Sequence, residues 1–215
     1  MSRNVLQKLP RPIIYPITSG KANSLDILLL VRAAVEAEAP LFQIREKSLP
    51  ARELYELTSR AAEITRGSKT RLLVNDRADI ARAAGADGVH LTSQSLPADV
   101  VRNMFGSEFL IGVSTHSLEE ARAARNGGAD FVVFGPVFEK HGFSTPQGLD
   151  KLREITSELG DFPVLAIGGI SLENAAACLD AGASGIAAIR LLNDVARMPE
   201  VYDRIQTSCA QHRRP

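Results

Sequence analysis

The sequence predicts an α/β fold, a single (β/α)8 TIM barrel over residues 1–215. Short apolar runs rich in β-branched residues alternate with longer Ala- and Leu-rich stretches of helical spacing, the pattern of parallel βαβ crossovers. The runs are continuously apolar, as strands covered on both faces are. A Gly-Ala-small triplet recurs as Gly85-Ala86-Asp87, Gly128-Ala129-Asp130 and Gly182-Ala183-Ser184, each time ending a helix and opening a strand. Glycine there supplies a left-handed helix end, and its small neighbour lets the strand begin close by.

In chain order, strand Ile13–Ile17 precedes helix Ser24–Glu38, and Leu41–Ile44 precedes Ala51–Gly67. Arg71–Val74 leads into Arg77–Ala84, Gly88–Leu91 into Pro97–Phe105, and Phe109–Val113 into Leu118–Asn126. Ser117 is the expected N-cap of that fifth helix, with Glu120 completing a capping box. Phe131–Phe134 precedes Leu149–Leu159, Val164–Ile167 precedes Leu172–Ala181 with Ser171 as N-cap, and Gly185–Ile189 precedes Asn193–Ser208. Eight such units favour closure over an open doubly wound sheet. The first strand also lacks the G-x-G-x-x-G turn of a dinucleotide fold. Residues 1–11 and 211–215 read as loose tails.

Lys+Arg and Asp+Glu both total 25, so the net charge is zero. No nucleic-acid or membrane partner is expected at whole-chain level. Cys178 and Cys209 form neither a metal-ligand cluster nor a disulfide framework. The first residues lack an apolar signal core, and no apolar run reaches the roughly 18 residues of a membrane span. A cytoplasmic protein is expected, with a homodimer as the base-rate assembly.

A barrel of this kind carries its active site at the C-terminal strand ends. After strand 2, Gln43, Arg45 and Lys47 alternate, so all three can face the mouth, where two cations and an amide suit a diphosphate. The rival is a salt-bridge network with Glu46 or Asp76. After strand 3, Asn75-Asp76-Arg77 offers a carboxylate that can ligate Mg²⁺ or cap the next helix. His90 closes strand 4 and reads as structural. After strand 5, Ser114-Thr115-His116 places a candidate acid/base, His116, in the cleft. The long polar loop from Gly135 to Gly148 carries Lys140, His141, Ser144 and Thr145 and suits a lid or substrate loop. After strands 7 and 8, Gly168-Gly169 and Ile189-Arg190 form the expected phosphate site.

With these residues in place, the chain resembles the thiamin phosphate synthase/TenI family from about Ile14 to Leu192. The motifs run in order: QIREK at Gln43–Lys47, NDR at Asn75–Arg77, VHL at Val89–Leu91, IGVSTHSLEEA at Ile111–Ala121, GADFVVFGPVF at Gly128–Phe138 and AIGGI at Ala166–Ile170. The resemblance implies a synthase that joins a pyrimidine diphosphate to a thiazole phosphate with Mg²⁺, without an organic cofactor. It assigns Gln43, Arg45, Lys47 and Asn75 to the pyrimidine diphosphate, Asp76 to the metal, Ser114 to a substrate contact, and Gly169 and Ile189 to the thiazole phosphate.

Three departures bear on activity. The family's G-Q-x-D after VHL is Thr92-Ser93-Gln94-Ser95 here, so a second metal carboxylate is missing. Its T-x-T-K clamp is Glu139-Lys140-His141-Gly142, and its serine after strand 8 is Arg190. The losses point to the TenI branch, a thiazole tautomerase with His116 as acid/base and Ser114 beside it. Thiamin phosphate synthase is the alternative, and a non-catalytic ligand-binding barrel is the alternative of another class.

Overall fold

The computed structural model describes residues 11–139 and 145–212. Its strands are β1 (Ile13–Pro16), β2 (Leu41–Ile44), β3 (Arg71–Asn75), β4 (Gly88–Leu91), β5 (Leu110–Thr115), β6 (Phe131–Phe134), β7 (Val164–Ala166) and β8 (Gly185–Ala188). The helices are α1 (Ser24–Glu36), α2 (Ala51–Thr65), α3 (Ala78–Ala83), α4 (Ala98–Phe105), α5 (Leu118–Asn126), α6 (Gly148–Leu159), α7 (Ala175–Asp180) and α8 (Met198–His212). All strand pairs are parallel, in the order β1-β8-β7-β6-β5-β4-β3-β2. A bridge between Ile17 and Gln43 joins β1 to β2, with Thr18 N–H donating to the Gln43 carbonyl at 3.0 Å. The expected (β/α)8 barrel is therefore the fold.

Two apolar layers follow from strand alternation. Ile14, Phe42, Val74, Val89 and Ile186 point outward and pack under the helices. Ile13, Tyr15, Leu41, Leu73, Phe131 and Leu165 point inward and fill the barrel. Burying both faces removes most strand surface from water, at roughly 25 cal/mol per Å² of apolar area.

The recurring triplets act as expected. Gly85, Gly128 and Gly182 have φ of 77°, 88° and 90°. Their neighbours do more than turn the chain: Asp87 accepts from Leu72 N–H at 2.8 Å and Asp130 from Ile111 N–H at 2.7 Å. Arg102 clamps Asp130 at 2.7 Å and also donates to the Gly106, Phe109 and Gly128 carbonyls. These contacts brace the barrel floor.

Ser117 caps α5, accepting from Glu120 N–H at 3.2 Å. Ser171 does not cap α7. That helix starts at Ala175, because Asn174 is spent on the preceding loop, accepting from Ser171 N–H and donating to the Gly169 carbonyl. The last helix also starts later than expected. A 3-10 turn, Arg190–Leu192, follows β8, and Asn193 donates to the carbonyls of Ile17 and Ile189. Asn193 thus ties the tops of β1 and β8 instead of opening a helix.

Candidate active site

Gln43 in β2, and Arg45 and Lys47 in the segment that follows it, meet at one cavity at the C-terminal mouth, of about 330 Å³. Asn75, His90, Ser114 and His116 line the same cavity, from the ends of β3, β4 and β5. Ile17, Val133, Ile167 and Ile189 supply its apolar wall. The one-residue offset buries Glu46, whose carboxylate accepts from Gly20 N–H at 3.2 Å. The salt-bridge alternative fails: among the described residues, Arg45 and Lys47 have no carboxylate partner.

A second cavity of about 340 Å³ lies between the loops after β7 and β8, and Arg45 borders both. It is lined by Gly168, Gly169, Ile189 and Arg190, as the sequence suggests, and also by Lys21 and Ser19 from the loop after β1. Lys21 was not legible as a site residue, because nothing local marks it. Among the described residues, the N–H groups of Gly168, Gly169 and Ile170 donate to no protein acceptor, and Arg190 and Lys21 have no ion-pair partner. Free N–H groups beside two cations are the chemistry that suits a phosphate. The glycine pair has a packing cause too. Gly168 and Gly169 sit at φ of 98° and 64°, and a Cβ on Gly169 would lie 2.6 Å from the Glu139 carbonyl oxygen.

The floor of the first cavity is a buried polar chain. Gln43 Nε2 donates to Tyr15 Oη at 3.0 Å, Tyr15 Oη lies 3.4 Å from His90 Nδ1, and His90 Nε2 lies 2.9 Å from Ser114 Oγ. Tyr15, Gln43 and His90 are at most 3% exposed. Burial, with Arg45 as a lesser cause, pushes His90 down to about 3, so its imidazole is neutral. Burial likewise holds the Tyr15 phenol far above its ordinary value. Gly112 makes room for this floor, since a Cβ there would sit 2.8 Å from His90 Nδ1 and overlap Phe131. His90 is thus structural and part of the site at once. Tyr15 was missed, since its place within an apolar strand gave no polar signal.

His116 stands at the rim, its side chain half exposed, with Nδ1 3.3 Å from Glu120 Oε2. Glu120 also accepts from His116 N–H at 2.7 Å. Asp76 is not brought into the cavity. It lines a separate hollow with Gln94 and Ser95, and its own N–H donates to the His90 carbonyl at 2.9 Å. Its φ is 63°, and its side chain does not cap α3, whose N-cap is Arg77. A left-handed aspartate at a strand end is a strained position of the kind found at functional sites. Ser95, at the position of the missing carboxylate, accepts from Thr92 N–H at 2.7 Å. Among the described residues no three His, Cys, Asp or Glu side chains could together hold a metal. Lys140, His141 and Ser144 lie outside the described residues, while Thr145 is exposed. No described helix is long and apolar enough to cross a membrane.

The family model described as thiamine monophosphate synthase matches residues 14–192. The chain belongs to the thiamine monophosphate synthase family. A thiamine-phosphate synthase from Moorella thermoacetica is 42% identical over 176 residues, covering 80% of this chain and 83% of the relative. One from Chlorobium limicola is 41% identical over 180 residues, covering 82% and 85%. Among solved structures, the thiamine phosphate pyrophosphorylase from Pyrococcus furiosus superposes with a TM-score of 0.80 at 33% identity, covering 92% of this chain and 95% of that one. These relatives carry synthase names, so membership of the thiamine monophosphate synthase family favours the synthase alternative over the tautomerase first preferred from the motif departures. The isomerase preference gains nothing from them.

Proposed function

We propose that this protein is a thiamin phosphate synthase, joining a pyrimidine diphosphate to a thiazole phosphate with release of diphosphate. The observation that carries the reading is the pair of adjoining cavities sharing Arg45, each with cations that have no carboxylate partner among the described residues. Two anionic substrates need two such ends, and a shared wall brings their reacting atoms together.

In this reading Arg45, Lys47 and Asn75 hold the diphosphate, while Gln43 and Ser114 contact the pyrimidine. Gly168, Gly169, Ile189 and Arg190 hold the thiazole phosphate, with Lys21 beside them. Ile17, Val133 and Ile167 keep the space between the rings apolar, so that water competes poorly with the thiazole nitrogen for the electron-poor pyrimidine carbon. The bond from that carbon to the diphosphate oxygen breaks, and a bond to the thiazole nitrogen forms. Arg45 and Lys47 stabilise the negative charge gathering on the departing group.

A magnesium ion fits this chain in one way. Mg²⁺ is commonly held by one or two carboxylates together with substrate phosphates and water. Asp76 follows Asn75, which lines the first cavity, but is itself exposed outside it, so it would offer the ion one carboxylate from beside the cavity, with substrate phosphate and water as the other ligands. The ion would supply charge neutralisation at the leaving diphosphate.

The tautomerase reading keeps one observation in its favour, His116 at the cavity rim. Purified protein offered both substrate sets, with and without Mg²⁺, separates the two. Mg²⁺-dependent thiamin phosphate formation is expected. Isomerisation of the thiazole carboxylate phosphate without coupling would overturn the proposal in favour of the tautomerase. Turnover of neither set, with tight binding retained, would favour a ligand-binding barrel.

A further inference from the structure

The chain Gln43–Tyr15–His90–Ser114 has a direction. Gln43 Nε2 can only donate, so the Tyr15 oxygen accepts and its own proton must go elsewhere. The available acceptor is His90 Nδ1, at 3.4 Å. A neutral imidazole that accepts at Nδ1 carries its proton on Nε2, which then donates to Ser114 Oγ at 2.9 Å. The Ser114 hydroxyl hydrogen is left free. Ser114 and Gln43 both line the cavity, and the Gln43 side-chain oxygen, Oε1, has no protein donor among the described residues.

We propose that Tyr15 and His90 are positioning residues, which through this directed chain hold Gln43 as an acceptor and Ser114 as a donor, so that the floor selects a flat, nitrogen-containing aromatic ring bearing an amino group. The ring offers its amino hydrogens to Gln43 at one edge and a ring nitrogen to Ser114 at another. The inference deepens the proposed synthase reading and rests on it for the identity of the ring. Burial strengthens the selection. With His90 3% exposed and Tyr15 fully covered, water cannot easily stand in for a missing partner, so a mismatched ring leaves a buried polar group unpaired. The apolar frame keeps the chain aligned. Phe131 packs edge-on against Tyr15 at 5.6 Å between ring centroids and lies 6.0 Å from the His90 ring.

The first test needs no turnover. Two-bond ¹⁵N–¹H correlation spectra of the wild type are expected to show His90 protonated on Nε2. In Tyr15→Phe, which removes the acceptor and donor that orient it, the Nδ1-protonated form is expected to gain population. An Nδ1-protonated His90 in the wild type would mean that the chain runs the other way, and would overturn the proposal.

The second test is calorimetry with an aminopyrimidine alcohol and its analogue lacking the amino group. Tyr15→Phe and His90→Leu are expected to lose about 10-fold or more of the preference for the amino compound. His90→Gln, whose amide can donate to Ser114 in the same place, is expected to recover part of it. Affinity for thiazole phosphate, read in the same variants, is expected to change by less than about 3-fold, and this also reports that they fold. Unchanged discrimination in a folded Tyr15→Phe would overturn the proposal. A wild type that shows Nε2 protonation and the amino preference but makes no thiamin phosphate would sink the synthase reading and leave this floor chemistry standing.

Discussion

Arg190 stands where β8 ends, exposed, with no carboxylate against it among the described residues. At the proposed phosphate pocket, a free guanidinium suits a charge-assisted contact to the ligand, at about 1.5–3 kcal/mol. Arg190→Ala is therefore expected to weaken thiazole phosphate binding about 10-fold or more, while unphosphorylated thiazole binds as before. Arg190→Lys should restore only part, because an ammonium lacks the bidentate fork. Calorimetry with both thiazoles checks this, and equal losses for the two would refute a phosphate role. At this scale the sequence was informative where chemistry follows strand alternation, as for Gln43, Arg45 and Lys47. It was silent for Lys21 and Tyr15, whose roles depend on neighbours distant in the chain.

Gly185 opens β8 beside the first residue of β1, and a Cβ there would overlap the Ile13 carbonyl. No flexible side-chain tip can yield, so the strands themselves must part. Gly185→Ala is expected to destabilise the protein by roughly 1–3 kcal/mol, measured as a lower urea midpoint with an unchanged slope. A stability equal to wild type would show that the β1–β8 seam is looser than this packing implies. The strands were legible because a buried parallel strand must be apolar throughout, and β2, β4 and β6 have the expected bounds. Element ends were legible only where a local device sets them. Ser117 caps its own helix, whereas Asn174 and Asn193 are taken by the turns after β7 and β8.

Across the whole molecule, the buried neutral His90 couples the site to stability. Its folded value, about 3, lies below the roughly 6.5 of an unfolded histidine. Above that unfolded value neither state binds the proton, and the full stability is present. As pH falls below it, only the unfolded state takes up the proton, so stability drops by up to about 1.4 kcal/mol per pH unit. Urea unfolding from pH 7.5 to 5 is expected to show this loss, and His90→Gln should flatten it. A wild type whose stability stays level across that window would mean that His90 titrates freely. The barrel, its strand count and the mouth-facing residues of β2 were determined by the sequence alone, because period and apolarity are local properties that any reader of the chain can extract. The preferred reaction was not. Missing motif residues argued for a tautomerase, yet the folded chain sets two cation-lined cavities side by side around Arg45, and its relatives carry synthase names. Only the tertiary structure decided that Lys21 joins Arg190, that Asp76 stands outside the cavity lined by Gln43 and Arg45, and that Tyr15 and His90 link Gln43 to Ser114. The physical reason is that these contacts join separate strands or loops of a closed barrel, and closure is a property of all eight strands together.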